Sequence, residues 1–239
     1  LSLQIFTIIY LVIIENFKLH QLGDYNYFKV ELDSLSIPFT LLSVLFLINS
    51  FNYFDGLDGT LSFATISVLG ILYFLTPDEN TKLFLIIILL PLLLFLFFNF
   101  SIFKLPKLFL GDSGSLLLGF VMAFTLINIA NQKMVHPILL AWSISIFVYE
   151  FLSINLIRFK NEKNVFKAGL DHLHHILFEK TKSLFLTNFL ILITNIIFFI
   201  IGYVSFKFIN PLTSLILFVF LFVIFFVLRV KFLKNKNFK

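Results

Sequence analysis

Long apolar segments are the strongest constraint on how this chain can fold. Eight of them follow one another, at 1–14, 35–50, 60–76, 83–98, 114–130, 137–157, 184–204 and 211–228. A helix needs about 17–25 predominantly apolar residues to cross the hydrocarbon core of a bilayer, and most segments approach that length with their flanks. No alternating pattern typical of a membrane β-barrel is present in the sequence. The sequence therefore predicts an all-α polytopic membrane protein with about eight transmembrane helices.

The composition supports this fold class. Hydrophobic residues make up 59% of the 239 residues and charged residues 13%, whereas soluble domains carry about 25% charged residues. The chain has no cysteine, which excludes disulfides and thiolate metal sites. Because no linker, repeat or low-complexity tail interrupts the apolar pattern, we expect one transmembrane domain over residues 1–239.

Lysine and arginine are distributed unevenly between the two sets of loops that eight spans would create. Five of the 18 lie in 15–34, 77–82, 131–136 and 205–210, and the other 13 lie in 51–59, 99–113, 158–183 and 229–239. Basic loops remain preferentially in the cytoplasm, so the second set is predicted to be cytoplasmic. Three polar clusters occur in three loops of that set, on one face of the membrane.

The first polar cluster is NSFNYFDGLDG, at 49–59, directly after an apolar run. Asn52, Asp55 and Asp58 recur every three residues, so their side chains share a face if the segment is helical. Oxygen ligands of this kind suit Mg²⁺, which keeps several waters and bridges to phosphates. The two Asp-Gly pairs are equally typical of a simple turn between spans, and that alternative stays open.

The second cluster is KLPKLFLGDSGSLLLGF, at 104–120. Asp112 stands between Gly111 and Ser113, immediately before an apolar helix. A helix N-terminus attracts phosphate, glycines allow its close approach, and Asp112 would hold the accompanying metal. The alternative is that Asp112 or Ser113 simply caps the helix. Phe109, beside this loop, is a candidate for stacking on a base.

The third cluster is DHLHH, at 171–175. His172 and His175 can share a helical face, with His174 offset from it. The many basic residues nearby favour an anionic ligand, to which histidine can donate hydrogen bonds. Zinc binding and a solvated interfacial helix are the two alternatives.

Carboxylates for Mg²⁺ together with histidines and lysines for phosphate favour phosphoryl transfer between a soluble pyrophosphate donor and a lipid acceptor. Two other classes of membrane protein are the alternatives. A CDP-alcohol phosphatidyltransferase would continue Asp-Gly with Ala-Arg, where this chain has Leu57-Asp58. A transporter would carry its carboxylates near the middle of the membrane rather than at one face.

The motifs NYFDGLDG, FLGDSGSLLLG and DHLHH, in this order and spacing, resemble those of the polyprenyl-phosphate N-acetylhexosamine-1-phosphate transferases, in glycosyltransferase family 4. The His-x-His-His form is most similar to the undecaprenyl-phosphate GlcNAc-1-phosphate transferase branch. The resemblance implies a Mg²⁺- or Mn²⁺-dependent enzyme of the bacterial cytoplasmic membrane, with its active site on the cytoplasmic face. Such an enzyme transfers a sugar 1-phosphate from a UDP-sugar to a polyprenyl phosphate and releases UMP. We expect no nucleic-acid partner, and a homodimer stays open.

The resemblance also implies roles for individual residues. Asn52, Asp55 and Asp112 are the expected catalytic residues, with Asp112 and Asp55 as the metal ligands. Seven further residues are expected to bind the donor: Gly56, Leu57 and Asp58 beside the uridine, Phe109 stacked on uracil, and His172, His174 and His175 at the phosphates or sugar.

Three features depart from the family pattern. An earlier cytoplasmic Asp-Asp motif has no match, and Leu1 already lies in an apolar run without signal-peptide features, so we expect further spans before it. Glu150 stands where the family usually has aspartate, and it is expected to pair with Arg158 or a loop lysine. Leu170 stands where an arginine often precedes the histidines. Both substitutions are expected to weaken donor contacts or shift the choice of sugar.

Overall fold

The computed structural model describes residues 2–161, 169 and 171–235, with side chains described for residues 5–233 within those ranges. Most of this part of the chain is helical. The helices are α1 (Ser2–Ile9), α2 (Ser36–Phe54), α3 (Thr60–Leu75), α4 (Glu79–Asn99), α5 (Gly111–Asn131), α6 (Pro137–Ser143), α7 (Ser145–Lys160), α8 (Leu173–Thr181), α9 (Leu184–Phe208) and α10 (Pro211–Asn235). A π-helical turn at Tyr10–Ile14 continues α1, and 3-10 turns occupy Asp33–Leu35 and Ile102–Lys104.

The long apolar helices make this a multi-pass membrane protein. Five helical segments are long and apolar enough to cross a bilayer: Asp33–Phe54, Glu79–Asn99, Gly111–Asn131, Leu184–Phe208 and Pro211–Leu233. The pair α6 and α7, bent by 73°, adds a sixth if it forms one span. Helix α3 and the segment Ile5–Ile14 are shorter apolar helices. Each predicted apolar run is therefore helical, and five to six of the eight predicted spans meet the criterion of length and composition.

A small β-hairpin departs from the all-helical expectation. Strands β1 (Gln21–Asp24) and β2 (Lys29–Glu31) pair antiparallel, with Asp24 opposite Lys29. Nε2 of His136, at the start of α6, lies 3.0 Å from the Asp24 carbonyl oxygen and fixes the hairpin to the bundle. Strands of three and four residues are too short to produce a periodic signal, which explains why the sequence did not predict them.

Polar contacts sort the loops into two ends of the bundle. At one end, the side chain of Asn131 donates to the Lys18 carbonyl oxygen at 2.9 Å, which links the loop after α5 to the segment before the hairpin. At the other end, Lys107 Nζ lies 2.6 Å from Asp58 Oδ2, which links the loops after α2 and α4. These links agree with the two sets of loops predicted from the distribution of basic residues.

The break between α6 and α7 is filled by Asn195 of α9. Its Oδ1 accepts from the Ile146 N–H at 3.1 Å, and its Nδ2 donates to the Ser143 carbonyl oxygen at 2.8 Å and to Ser67 Oγ at 2.9 Å. Asn195 is fully buried. An unsatisfied backbone group inside a membrane costs several kcal/mol, so this amide makes the 73° bend stable.

We therefore expect Asn195→Ala to lower the free energy of unfolding in detergent micelles by about 1–3 kcal/mol, because interhelical hydrogen bonds in membrane proteins average about 0.6 and reach about 1.7 kcal/mol each. Thermal unfolding measures the change. Thr194→Val is the matched control, since Thr194 bonds only to Leu190 of its own helix among the hydrogen bonds described. Equal melting temperatures for the two variants would contradict the role given to Asn195.

Candidate active site

The turn after α2 positions the first polar cluster. The N–H of Asp55 donates to the Asn52 carbonyl oxygen at 3.2 Å and ends the helix. Gly59 has a φ of 76°, and a Cβ at this position would collide with the Phe100 ring, so the turn requires glycine. Asn52 therefore lies on the helix whereas Asp58 lies in the turn. The three polar residues therefore do not share one helical face. The helix ends at Asp55, and the turn that follows determines the position of Asp58.

Asn188 of α9 holds this turn from the opposite side. Its Nδ2 donates to the Asp58 carbonyl oxygen and its Oδ1 accepts from Thr60 Oγ1, both at 2.7 Å. Asn188 and Thr60 are fully buried. Asn188 belongs to no polar motif in the sequence, because within the apolar run 184–204 only a few scattered polar residues accompany it, Thr187 among them.

Helix α5 begins one residue before Asp112. The helix starts at Gly111, and Leu110 occupies the N-cap position without a side-chain hydrogen bond. Asp112 and Ser113 are therefore inside the first turn and neither is the cap, so the capping alternative is wrong. Asp112 is exposed beside the N-terminal backbone N–H groups of α5, where a negative charge is stabilised by the helix dipole.

The first and second clusters meet where α2 ends and α5 begins. Ser115 Oγ donates to Asn52 Oδ1 at 2.7 Å, which joins the two helices. Burial, and then the nearby negative charge of Asp112, raise the pKa of Asp55 to about 6. The two carboxylates that the sequence predicted as metal ligands are thus close enough to interact electrostatically.

The loop before α5 lies beside the first cluster. Lys107 Nζ is 2.6 Å from Asp58 Oδ2 and 5.0 Å from the centroid of the Phe109 ring. Phe109 is 69% exposed. Two of the four residues that the resemblance assigns to the uridine, Asp58 and Phe109, are therefore joined through one lysine side chain, and most of the phenyl ring is exposed.

The histidines lie against the same turn, in an arrangement that differs from the predicted one. His172 is the N-cap of α8 rather than part of the helix, and its ring stacks parallel to that of His174, with 5.4 Å between centroids. The predicted pairing of His172 with His175 on one helical face is therefore wrong, because helical spacing does not apply across a cap. His174 packs so closely on Gly56 that a Cβ there would overlap its Nε2.

His174 has the most unusual environment of the three histidines. It is fully buried, and neither of its ring nitrogens has a hydrogen-bond partner among the described residues. Burial, together with the neighbouring His175 and His172, holds the pKa of His174 well below its ordinary range. The ring is therefore neutral at pH 7 and has a donor and an acceptor for a ligand.

A buried carboxylate lies behind the histidines. Glu150 of α7 is 1% exposed. Its Oε1 accepts from Arg229 Nη2 at 2.9 Å and from the Leu173 N–H at 3.0 Å, and lies 3.3 Å from His172 Nδ1. Among the described residues, Arg229 of α10 is therefore an ion-pair partner of Glu150, in place of the predicted Arg158. Of the loop lysines that were the alternative, Lys163 and Lys167 lie outside the described residues. In the sequence, Arg229 is one of several basic residues of the segment 229–239 and belongs to no motif.

Arg158 instead pairs with Asp171, a residue that the sequence analysis did not select. The contact is bidentate, with Nε to Oδ2 at 3.1 Å and Nη2 to Oδ1 at 2.7 Å. Burial opposes ionisation of Asp171, but the hydrogen bond and charge of Arg158 outweigh it and hold the pKa of this carboxyl below its usual value. Leu170, one of the departures noted above, lies outside the described residues.

The arrangement of the carboxylates is more typical of a Mg²⁺ site completed by water and substrate than of a metal site formed by protein ligands alone. In the part of the chain that the structure describes, no group of three or more His, Asp or Glu side chains could hold a metal ion alone. Zinc sites need three or four protein ligands, so the zinc alternative for the histidines finds no support there. Mg²⁺ is commonly bound by one or two carboxylates together with water and substrate phosphates, as Asp55 and Asp112 would allow.

The fold and the site define a class: a multi-pass helical membrane protein with interacting carboxylates and buried histidines gathered at one end of its helix bundle. A family model for glycosyl transferase family 4 matches residues 1–130. The chain belongs to this family, and the resemblance predicted from the three motifs is confirmed.

Relatives from two branches of the family are similar to the chain. The undecaprenyl-phosphate alpha-N-acetylglucosaminyl 1-phosphate transferase of Yersinia pestis is 27% identical over 144 residues, covering 58% of this chain and 40% of the relative. The protein of that name from Escherichia coli K12 is 26% identical over 162 residues, covering 65% and 41%. The phospho-N-acetylmuramoyl-pentapeptide-transferase of Borrelia duttonii is 33% identical over 165 residues, covering 62% and 45%. The chain thus spans about two fifths of the length of these curated relatives.

The raised pKa of Asp55 predicts a cost in stability. Because this pKa rises from 3.8 to about 6 on folding, the native protein binds the proton more tightly, and the free energy of unfolding falls as pH rises between those values. At pH 7.5 in chelator, Asp55→Asn should therefore raise the free energy of unfolding by about 1–2 kcal/mol, less than the full pKa shift would give because solvent screens this partly buried carboxyl, as measured by thermal unfolding in detergent. The gain should shrink towards pH 4.

The exposed Asp33 provides the control, because Asp33→Asn should change the melting temperature little at either pH. Added Mg²⁺ should stabilise the wild type and leave Asp55→Asn unchanged, since a ligand stabilises only the form that binds it. Equal melting temperatures for wild type and Asp55→Asn at pH 7.5 would contradict the electrostatic description of the carboxylate pair.

Proposed function

We propose that this chain carries the donor and metal site of a transferase that moves a sugar 1-phosphate from a UDP-sugar to undecaprenyl phosphate. The expected sugar is N-acetylglucosamine or a related N-acetylhexosamine. The observation that carries the proposal is the convergence of the α2 turn, the start of α5 and the histidines of α8 on one site at one end of the bundle. Relatives in both branches of the family are named as sugar-phosphate transferases.

The reaction is a displacement at phosphorus. A phosphate oxygen of the lipid acceptor forms a bond to the β-phosphorus of the donor, and the bond from that phosphorus to the oxygen bridging it to the α-phosphate breaks. UMP leaves with the electron pair, and the product is a lipid-linked sugar pyrophosphate. Such a reaction depends mainly on positioning and on neutralising the charge of the phosphates.

The carboxylates of Asp112 and Asp55 suit a metal ion that in turn binds the phosphates. Asp112 and Asp55 would hold Mg²⁺, which supplies charge neutralisation when bound, and Mn²⁺ accepts the same oxygen ligands. A cation bound by these carboxylates would offset their mutual repulsion, which contributes, after burial, to the raised pKa of Asp55. Asn52 is joined to the first turn of α5, which carries Asp112, by the hydrogen bond that its Oδ1 accepts from Ser115 Oγ.

The groups on the other side of the turn suit the nucleoside and sugar. The exposed ring of Phe109 would stack on uracil, with Gly56, Leu57 and Asp58 beside the uridine. His174 is buried and unpartnered among the described residues, so it can donate to a phosphate or sugar oxygen without breaking an existing bond.

The proposed site faces the cytoplasm of a bacterium, in the inner membrane. The loops that meet at the site carry most of the basic residues, which favours the cytoplasmic side. UDP-sugars are available there, and lipid-linked sugars of this kind begin the synthesis of cell-envelope polysaccharides. The position of the carboxylates at one end of the bundle disfavours the transporter alternative.

Asp112→Asn in the full-length protein should lower the rate of lipid-linked product formation from labelled UDP-GlcNAc by about 100-fold or more, because the variant loses a ligand of the metal ion that would neutralise the transferred phosphate. The protein should still insert at the wild-type level. Asp33→Asn is again the control. Wild-type activity in Asp112→Asn would refute the metal assignment, and solute transport without lipid product would favour the transporter.

Gly56→Ala should lower the same activity by about 100-fold, because a methyl group displaces His174 from the turn and small misplacements of this kind carry penalties of that order. Gly70→Ala is the matched control: a Cβ at Gly70, within α3, meets no atom within 4 Å. The control should retain activity and gain slightly in helix stability. Full activity of Gly56→Ala would show that the contact between His174 and the turn is dispensable.

A further inference from the structure

His172 differs from His174 in that both of its ring nitrogens are occupied. Nδ1 lies 3.3 Å from Glu150 Oε1, and Nε2 lies 3.5 Å from Arg158 Nη2. A guanidinium group can only donate, so Nε2 is the acceptor and Nδ1 carries the proton that is donated to Glu150. This tautomer is assigned from its partners. His172 therefore has no ring nitrogen left for a ligand.

The carboxylate that orients His172 is itself held by Arg229. One guanidinium nitrogen of Arg229 contacts Glu150 Oε2, and Nη2 lies 2.9 Å from Oε1 and 2.5 Å from the Asp171 carbonyl oxygen. Arg229 is 4% exposed and Glu150 is 1% exposed. Removing one partner of such a buried pair leaves an uncompensated charge, so the carboxylate would move or become protonated.

These contacts form a continuous route from α10 to the turn after α2. Arg229 fixes Glu150, and Glu150 fixes both the ring of His172 and the first N–H of α8. The ring of His172 lies parallel to that of His174, which packs on Gly56. A change in the orientation of His172 is therefore transmitted to His174 through this ring contact, because packed interiors transmit strain.

We propose that Arg229 is a positioning residue of the active site, which acts through Glu150 to fix the tautomer and orientation of His172 and so presents His174 to the donor. The proposal rests on the proposed function and divides the histidines by role. His174 contacts the donor, whereas His172 supports His174 and does not itself contact the phosphates. Replacing a residue that orients a group in the site, without itself contacting the ligand, commonly lowers activity by about 10–100-fold.

Arg229→Gln should lower kcat for lipid-linked product by about 10–100-fold with a smaller change in the KM for UDP-GlcNAc. Lys231→Gln is the matched control, because Lys231 is an exposed cation two residues further along α10. In a His174→Ala background, Arg229→Gln should cause little further loss, since residues that act as a unit are not additive. Additive losses in the double variant would overturn the proposal.

The charge-balanced variant Glu150→Gln/Arg229→Gln separates folding from positioning. Replacing both members of a buried pair removes the unpaired charge, so the melting temperature should recover towards the wild type. The kcat should remain low, because the neutral pair no longer fixes the tautomer of His172. Recovery of kcat together with the melting temperature would show a purely structural role and would overturn the proposal.

A readout without turnover tests the positioning separately from the reaction. In ¹⁵N-histidine-labelled protein at pH 7.5, we expect an Nδ1–H imidazole signal that is lost in His172→Gln and that becomes a mixture of tautomers in Arg229→Gln. An unchanged signal in Arg229→Gln would overturn the proposal, whatever the activity. The expected signals in a wild-type protein that forms no lipid-linked sugar would instead refute the proposed function and leave the positioning intact.

Discussion

The need to satisfy every polar group inside a membrane is the constraint on which the rest of this structure depends. It makes helices the only form in which the long apolar segments can be buried. It also explains the buried asparagines. Asn195 satisfies the broken backbone between α6 and α7, and Asn188 satisfies the turn that carries Asp58. The bundle therefore tolerates irregular backbone only where a neighbouring helix supplies the missing hydrogen bonds.

In the candidate site, by contrast, some polar groups are not satisfied by the described part of the chain. Asp55 is partly buried near Asp112, and His174 is fully buried without a partner among the described residues. Each arrangement is unfavourable for an isolated protein and becomes favourable when a cation or a phosphate supplies the missing interaction. Two buried ion pairs lie behind them, Glu150 with Arg229 and Arg158 with Asp171. His174, proposed to meet the substrate, thus lacks a partner among the described residues, whereas the charged side chains behind it are ion-paired.

The sequence predicted the site better where its residues are adjacent than where they come from distant helices. Asn52, Asp55 and Asp112 belong to compact polar motifs at the ends of apolar runs, so their chemistry was recognisable. Arg229 resembled any other basic residue at the end of a membrane helix. The pairing of the histidines was mispredicted because His172 precedes α8 as its cap, and where a helix begins depends on Glu150, 23 residues before Leu173, accepting its first N–H.

By itself, the sequence determined the fold class, the family and the three polar clusters at one end of the bundle, because hydrophobic length, charge distribution and local motifs act over short stretches of chain. Tertiary structure alone decided the rest: that the apolar pair α6 and α7 bends at Ile144, that a hairpin forms between α1 and α2, and that the turn at Gly56 receives His174. These features depend on contacts between helices far apart in sequence. Their energies come from packing and hydrogen bonding that no local pattern records.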